Sequence, residues 1–286
     1  MDIIVIGAGI SGIYSACLLK SFGFNVKILE AKDRIGGRTL TIRENGKNID
    51  LGGQWISSSQ PRVMKLLKQL NVRYFDQYDE GTHIMNFTKL KTSNSNISDS
   101  EPNQKTMNLI NKINQISSDI ENYKHLDKIT AKEWLDQNCD DEETKQIVDW
   151  LFKVCICLES TELSAYYWFN MINSCGGYEK IANIKNGAQE YRIMGGSMTL
   201  SEMLINKYQI PVLLNSPVTK IIDNKTICHV YSSGTIHNCN QVIVTIPPHL
   251  NRNIDYQPKL PEEKVKLYSN IKMGQVIKII VLYDSP

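Results

Sequence analysis

Three glycines spaced as GxGxxG, Gly7, Gly9 and Gly12, with an acid further along at Glu30, form a set that could hold a dinucleotide. Gly7 permits a tight strand-to-helix turn, Gly9 lacks the Cβ that would block a diphosphate, and Gly12 lets a helix lie close to a strand. Ile10 and Ser11 fall where a helix start offers free N–H groups and the positive end of its dipole to phosphate oxygens. Glu30 would accept hydrogen bonds from ribose hydroxyls, and its charge argues against a 2′-phosphate. After Ala31 comes Arg34-Ile35-Gly36-Gly37-Arg38-Thr39. Its two glycines allow the backbone to approach an anion closely, with the guanidinium groups of Arg34 and Arg38 ready to clamp it. The alternative is a surface turn with two solvated arginines. A position just past the carboxyl end of a strand favours the ligand.

These residues need a βαβ unit to position them. Asp2-Ile3-Ile4-Val5-Ile6 is an apolar, β-branched run that reads as a buried strand. Ile13, Ala16, Cys17, Leu18 and Leu19 give a helical apolar face that ends at Gly23 and Asn25, and Val26 to Leu29 reads as the second strand. Pro61 to Leu70 is an amphipathic helix and Val72 to Phe75 a short strand. Lys89 to Thr106 is polar and rich in Ser and Asn, an exposed loop. Helical spacing follows over Met107 to Tyr123, a capping box at Thr130 and Glu133, and further helices over Asp141 to Glu159 and from Ser164 to Gly176-Gly177.

Strand patterns resume after a helix opened by Gly195-Gly196-Ser197-Met198: Pro211 to Asn215, Ser216 to Ile222, Ile227 to Tyr231 and Gln241 to Ile246. Met273 to Tyr283 reads as an apolar strand interrupted by Lys278. The fold class expected is therefore α/β, a doubly wound Rossmann-like domain with an inserted, mainly α-helical domain. The expected division assigns residues 1–75 and 195–270 to dinucleotide binding. Residues 76–194 and 271–286 form a partial substrate domain.

Lys+Arg 32 against Asp+Glu 30 leaves a net charge of +2 over 286 residues, which gives no basis for binding nucleic acid or an anionic membrane. The 7 Cys show no paired CxxC spacing, and an odd count fits a reducing compartment. The 5 His are scattered, with no zinc or Ser/His/Asp constellation, so no metal is expected. With a strand starting at Asp2 and no apolar run of membrane-spanning length, the expected location is the cytoplasm.

The sequence Gly7–Gly12, Glu30, Arg34-x-Gly36-Gly37-Arg38 and Asp50-Leu51-Gly52-Gly53-Gln54-Trp55 resembles the flavin-containing amine oxidase family, most closely its monoamine oxidases. The resemblance runs from Asp2 to Tyr283. It implies FAD as cofactor, with Gly36, Gly37, Arg38, Gly52 and Gly53 lying against the flavin and its diphosphate, Gln54 and Trp55 in the same motif, and Val218 touching the adenine side. It implies that Lys278 holds a water near the reactive flavin nitrogen; from the residues alone, a snorkelling edge lysine fits equally. Substrate-pocket positions carried over are Val154, Cys155, Ala182 and Gln189, with Ala182 standing where a bulkier gate residue is common.

The implied reaction takes an amine to an imine, which water hydrolyses, while O₂ becomes H₂O₂. The family's later glycine motifs have no counterpart before Pro286. A shortened product, one half of a split enzyme completed by a second polypeptide, and a fragment all remain open, as does a homodimer. A non-catalytic module binding FAD or ADP is the alternative from another class. An NAD-dependent dehydrogenase is disfavoured by the Arg34–Arg38 bend. Polyamine and L-amino-acid oxidases share the motifs seen here.

Overall fold

The computed structural model describes residues 1–80, 85–87, 90–92 and 104–283. The chain groups into two compact units, Met1–Gln54 with Arg62–Tyr74 and Ile193–Met273, and Trp55–Pro61 with Phe75–Arg192 and Gly274–Pro286.

The first unit opens with β1 (Asp2–Ile6), α1 (Ile10–Ser21) and β2 (Asn25–Leu29). Ile3 to Ile6 are all buried, because a central parallel strand is covered on both faces. β1 pairs in parallel with β2 on one side and with Gln241–Val244 on the other, and Val212–Leu213 extends the sheet beyond β2. The strand expected over Pro211 to Asn215 thus narrows to two residues. A hairpin of β3 (Thr41–Glu44) and β4 (Lys47–Asp50) follows, its Asn45-Gly46 turn holding φ of 50° and 72° as a primed turn requires.

A second sheet in this unit runs in the order Thr235–Cys239, Cys228–Ser232, Val218–Asp223, Asp255–Gln257. The first and last of these strands had no sequence signal. Ile4, Ile6 and Leu29 share one core with Ile221, Val230 and Ile254, so the two sheets of this unit are packed on each other. At their margin Lys27 Nζ lies 3.2 Å from His237 Nδ1. Burial first, then the Lys27 ammonium, hold the His237 imidazole below its ordinary 6.5. Below that pH the unfolded chain takes up a proton that the folded chain resists, so this contribution is full above pH 6.5 and is lost as pH falls through the folded value. The midpoint of urea unfolding should therefore drop between about pH 8 and about pH 5, and His237→Gln should flatten part of that slope.

The second unit is built on the helices Gln104–Ser118, Ala131–Asn138, Glu142–Ile156 and Ala165–Cys175. Their apolar faces meet around Trp168, with the Phe152 and Phe169 ring centroids 5.3 Å and 5.0 Å away and Trp134 4.8 Å from Phe169. Thr130 caps the second of these helices: the Glu133 N–H donates to its Oγ1 at 3.1 Å, and its own N–H donates to Glu133 Oε2 at 2.7 Å. Thr130→Ala removes one half of that box and should cost about 1 kcal/mol in urea unfolding. Among the described residues no helix is long and apolar enough to cross a membrane.

Several sequence expectations need correction. The helix expected over Met107 to Tyr123 ends at Ser118 and passes into 3₁₀ turns over Ile120–Lys128. The loop expected over Lys89 to Thr106 lies mostly outside the described residues. Leu90–Thr92 is a strand paired with Met85–Phe87, and residues 104–106 are the first turn of a helix. Thr106 is buried there with its Oγ1 3.2 Å from Thr144 Oγ1, a partner that polar composition could not reveal. The strand expected over Met273 to Tyr283 is not formed. Gln275 N–H donates to the Cys157 carbonyl at 3.2 Å, and beyond it Ile277 and Ile279 are 90% and 83% exposed. β structure requires a ladder partner, and this apolar segment has none among the described residues.

Candidate nucleotide site

The carboxyl ends of β1, β2 and Gln241–Val244 open onto a cleft of about 410 Å³ in the first unit. This is where an open parallel sheet places a ligand. Gly7 has φ 101°, so the chain can turn from β1 into α1. α1 then starts after Gly9 with no side-chain cap and no acid in its first turn. The N–H groups of its first turn, beside Ile10 and Ser11 on the cleft wall, are donors that an anion could satisfy.

Behind the turn, a Cβ on Gly12 would overlap the Gly7 carbonyl oxygen and come 2.6 Å from Thr245 Oγ1. α1 can lie this close to β1 only because that position has no side chain. Thr245, just past the Gln241–Val244 strand, closes the contact, its hydroxyl donating to the carbonyls of Ile6 at 2.8 Å and Gly7 at 3.2 Å.

Glu30 is 9% exposed at the end of β2. Its Oε2 accepts from the Ala8 N–H at 2.6 Å and its Oε1 from the Lys32 N–H at 2.9 Å. The acid is thereby fixed beside the glycine turn before any ligand arrives, with lone pairs on both oxygens left for hydroxyl donors. This refines the sequence reading, in which the carboxylate served the ligand alone.

The second glycine bend lies directly on the first. Gly36 N–H donates to the Ala8 carbonyl at 2.8 Å, and a Cβ on Gly37 would stand 3.1 Å from the Gly9 Cα. Both glycines have positive φ, 96° and 60°. Gly36, Gly37, Arg38 and Thr39 therefore share the cleft wall with Gly7, Gly9, Glu30, Ala31 and Val218.

Arg34 does not share that wall. Its Nη1 donates to the carbonyls of Ile35 at 3.1 Å and Thr39 at 3.3 Å, and its Nη2 to the Gly37 carbonyl at 3.0 Å. The bend turns its carbonyls inward, and the five-donor guanidinium satisfies them instead of clamping an anion. At Gly52 a Cβ would overlap the Arg38 carbonyl oxygen and sit 2.7 Å from the Leu40 nitrogen, so its missing side chain makes room for the backbone that leads into the hairpin. Gly53 supports the same stretch, its N–H donating to the Arg38 carbonyl at 3.1 Å. Gln54 does not line the cleft, and Trp55 belongs to the second unit, its Nε1 donating to Gln77 Oε1 at 2.8 Å.

Lys32, Ser216, Pro217, Ile246 and Asn253 line the cleft and were not singled out in the sequence. The usable signal was the Pro247-Pro248 stop after the Gln241–Val244 strand, which marks another carboxyl end of the sheet.

In the second unit, Cys155 and Ala182 line one small cavity together with Trp168, Ile172 and Tyr178. Burial, with Cys157 and Cys175 adding to it, pushes the Cys155 thiol up to about 11, so it is a wall and not a nucleophile. Val154, its neighbour on the same helix, is 50% exposed and points elsewhere, because adjacent helical positions diverge by about 100°. Gln189 is half-buried outside that cavity. Lys278, expected to interrupt an apolar strand, is exposed outside any strand and lines neither cavity.

The cleft fits the phosphate and ribose part of FAD: Cβ-free backbone at two stacked turns, donors at a helix start and a fixed acid. A model of the family described as flavin containing amine oxidoreductase matches residues 10–286. The probable flavin-containing monoamine oxidase A of Dictyostelium discoideum is 33% identical over 100% of this chain and 66% of its own length. Human flavin-containing amine oxidase B is 32% identical over 100% of this chain and 58% of its own. A solved putrescine oxidase bound to putrescine superposes with a TM-score of 0.86 at 26% identity, covering 94% of this chain and 63% of that one. The chain thus spans about three-fifths of the length of the relatives it matches.

Proposed function

Since this chain belongs to the flavin containing amine oxidoreductase family, we propose that it takes part in FAD-dependent oxidation of a small amine, with the Gly7–Thr39 cleft as the FAD site. The observation that carries the reading is the stacking of Gly37 on Gly9 beside a preset Glu30. FAD bound there supplies a two-electron acceptor, so that an amine becomes an imine and O₂ becomes H₂O₂.

The residues of this chain bind and orient. The first-turn N–H groups of α1 hold the diphosphate, and Glu30 takes the ribose hydroxyls. Arg34 stiffens the bend that carries Arg38 to the ligand, and Val218 supplies an apolar contact. Cys155 and Ala182 line a cavity of only about 10 Å³, too small for an amine, so their place beside the substrate rests on the family resemblance alone.

A specific observation favours a further requirement. The apolar residues from Val276 to Leu282 are exposed and lack a sheet partner among the described residues. Turnover on this reading needs an additional polypeptide segment that pairs with this stretch. The alternative is a nucleotide-binding module without turnover.

The test is direct. The purified chain should show flavin absorption or take up added FAD, and H₂O₂ release with putrescine would establish oxidation. A chain that binds neither FAD nor ADP would end the proposal.

A further inference from the structure

Asp50 is a buried acid, 2% exposed, to which the nucleotide reading assigns no task. Its Oδ1 accepts from three donors: Thr41 Oγ1 at 2.6 Å, the Ser197 N–H at 2.9 Å and Ser197 Oγ at 3.1 Å. Thr41 Oγ1 in turn accepts from the Met198 N–H at 3.1 Å. The helix that follows, Thr199–Tyr208, has no side-chain cap of its own. Asp50 and Thr41 supply that cap from the β3–β4 hairpin, directly at Ser197 and by relay at Met198. A carboxylate at a helix start is also favoured by the helix dipole.

Both ends of this junction reach the cleft. On one side, a Cβ on Gly36 would meet Met198 Cγ at 3.0 Å, so the capped turn backs the double-glycine bend. On the other, the Gly53 N–H donates to the Arg38 carbonyl, and the Leu51 N–H donates to the Leu40 carbonyl at 2.8 Å. Gly196 is pressed so closely on Thr41 that a Cβ would overlap the threonine side chain, leaving the junction little room to adjust. The capped helix also packs on α1, where Cys17 Sγ donates to the Leu204 carbonyl at 3.7 Å.

We propose that Asp50 is a positioning residue for nucleotide binding: by capping the Thr199–Tyr208 helix onto β3 it holds the Gly36–Thr39 bend against the Gly7–Gly12 turn. This rests on the cleft being the FAD site. Asp50→Asn keeps the size and one acceptor but loses the charge that strengthens all three hydrogen bonds.

The experiment measures dissociation constants for FAD and ADP, and the visible circular dichroism of bound flavin, on the full 286-residue chain. Asp50→Asn should weaken both ligands by about tenfold or more and reduce the flavin signal. Thr41→Val, which breaks only the relay, should give a smaller loss in the same direction. Leu67→Ala, a buried substitution that does not line the cleft, should lower the urea midpoint while leaving both constants unchanged. Should Asp50→Asn not fold, Thr41→Val and Ser197→Ala carry the same comparison. Wild-type constants in folded Asp50→Asn and Thr41→Val overturn the assignment while the cleft reading stands. A wild-type chain that binds neither ligand overturns both.

Discussion

Gly12→Ala should destabilise the first unit by about 3 kcal/mol or more and abolish nucleotide binding under conditions where the wild type binds. The sign is not obvious in advance. Gly12 lies in helical backbone, and alanine there would ordinarily stabilise a helix by about 1 kcal/mol. The opposing term is steric. The added methyl would overlap the Gly7 carbonyl oxygen, and Thr245 Oγ1 is 2.6 Å away with its hydroxyl already committed to the Ile6 and Gly7 carbonyls.

These obstacles are backbone and a side chain locked by two hydrogen bonds, so nothing nearby can swing aside. α1 would have to lift from β1, carrying the donors of its first turn off the cleft wall. Urea unfolding followed by far-ultraviolet circular dichroism, together with an FAD titration, reads both effects. A Gly12→Ala chain as stable as wild type would mean that α1 does not sit against Gly7 as described.

Glu30→Ala is the second large effect. It removes the acceptor for the Ala8 N–H, a donor inside the turn at a residue with no exposed surface. Leaving such a donor unsatisfied costs about 1–3 kcal/mol. The Lys32 N–H loses its partner as well, although nearer to solvent. Loss of the ribose contacts adds to this, and FAD and ADP affinity should fall by about a hundredfold, the scale of two lost charge-assisted hydrogen bonds.

Glu30→Gln separates the two contributions. Its Oε1 can still accept one backbone N–H, so stability should recover in part, while its amide meets the other N–H as donor against donor. If Glu30→Ala bound FAD as tightly as wild type, the acid would be a strut for the turn and nothing more.

Much of this architecture is written in short-range patterns. The Asp2–Leu29 βαβ unit follows from an apolar β-branched run, a helical apolar face and glycines whose positive φ or missing Cβ the turn demands. The Thr130–Glu133 cap is likewise local, because donor and acceptor lie within one helical turn. Sterics, capping and periodicity act over a few residues, so residue order alone reveals them. That Glu30 belongs beside the glycine turn could be read in the same way, since one parallel crossover brings the ends of β1 and β2 together.

Other features depended on which distant segments meet. Arg34 looked like an anion clamp until the inward carbonyls of its own bend were in place to receive it. Gly52 owes its missing side chain to the Arg38–Leu40 backbone, and Asp50 finds Ser197 across 147 residues of chain. The Met273–Tyr283 segment has the composition of a strand, but strand structure belongs to a pair, and composition cannot supply the partner. Residue order determined the local turns, caps and apolar faces of this protein. Which buried acceptor meets which donor was decided only in the tertiary structure, because the free energy of such a contact depends on everything else that excludes water from it.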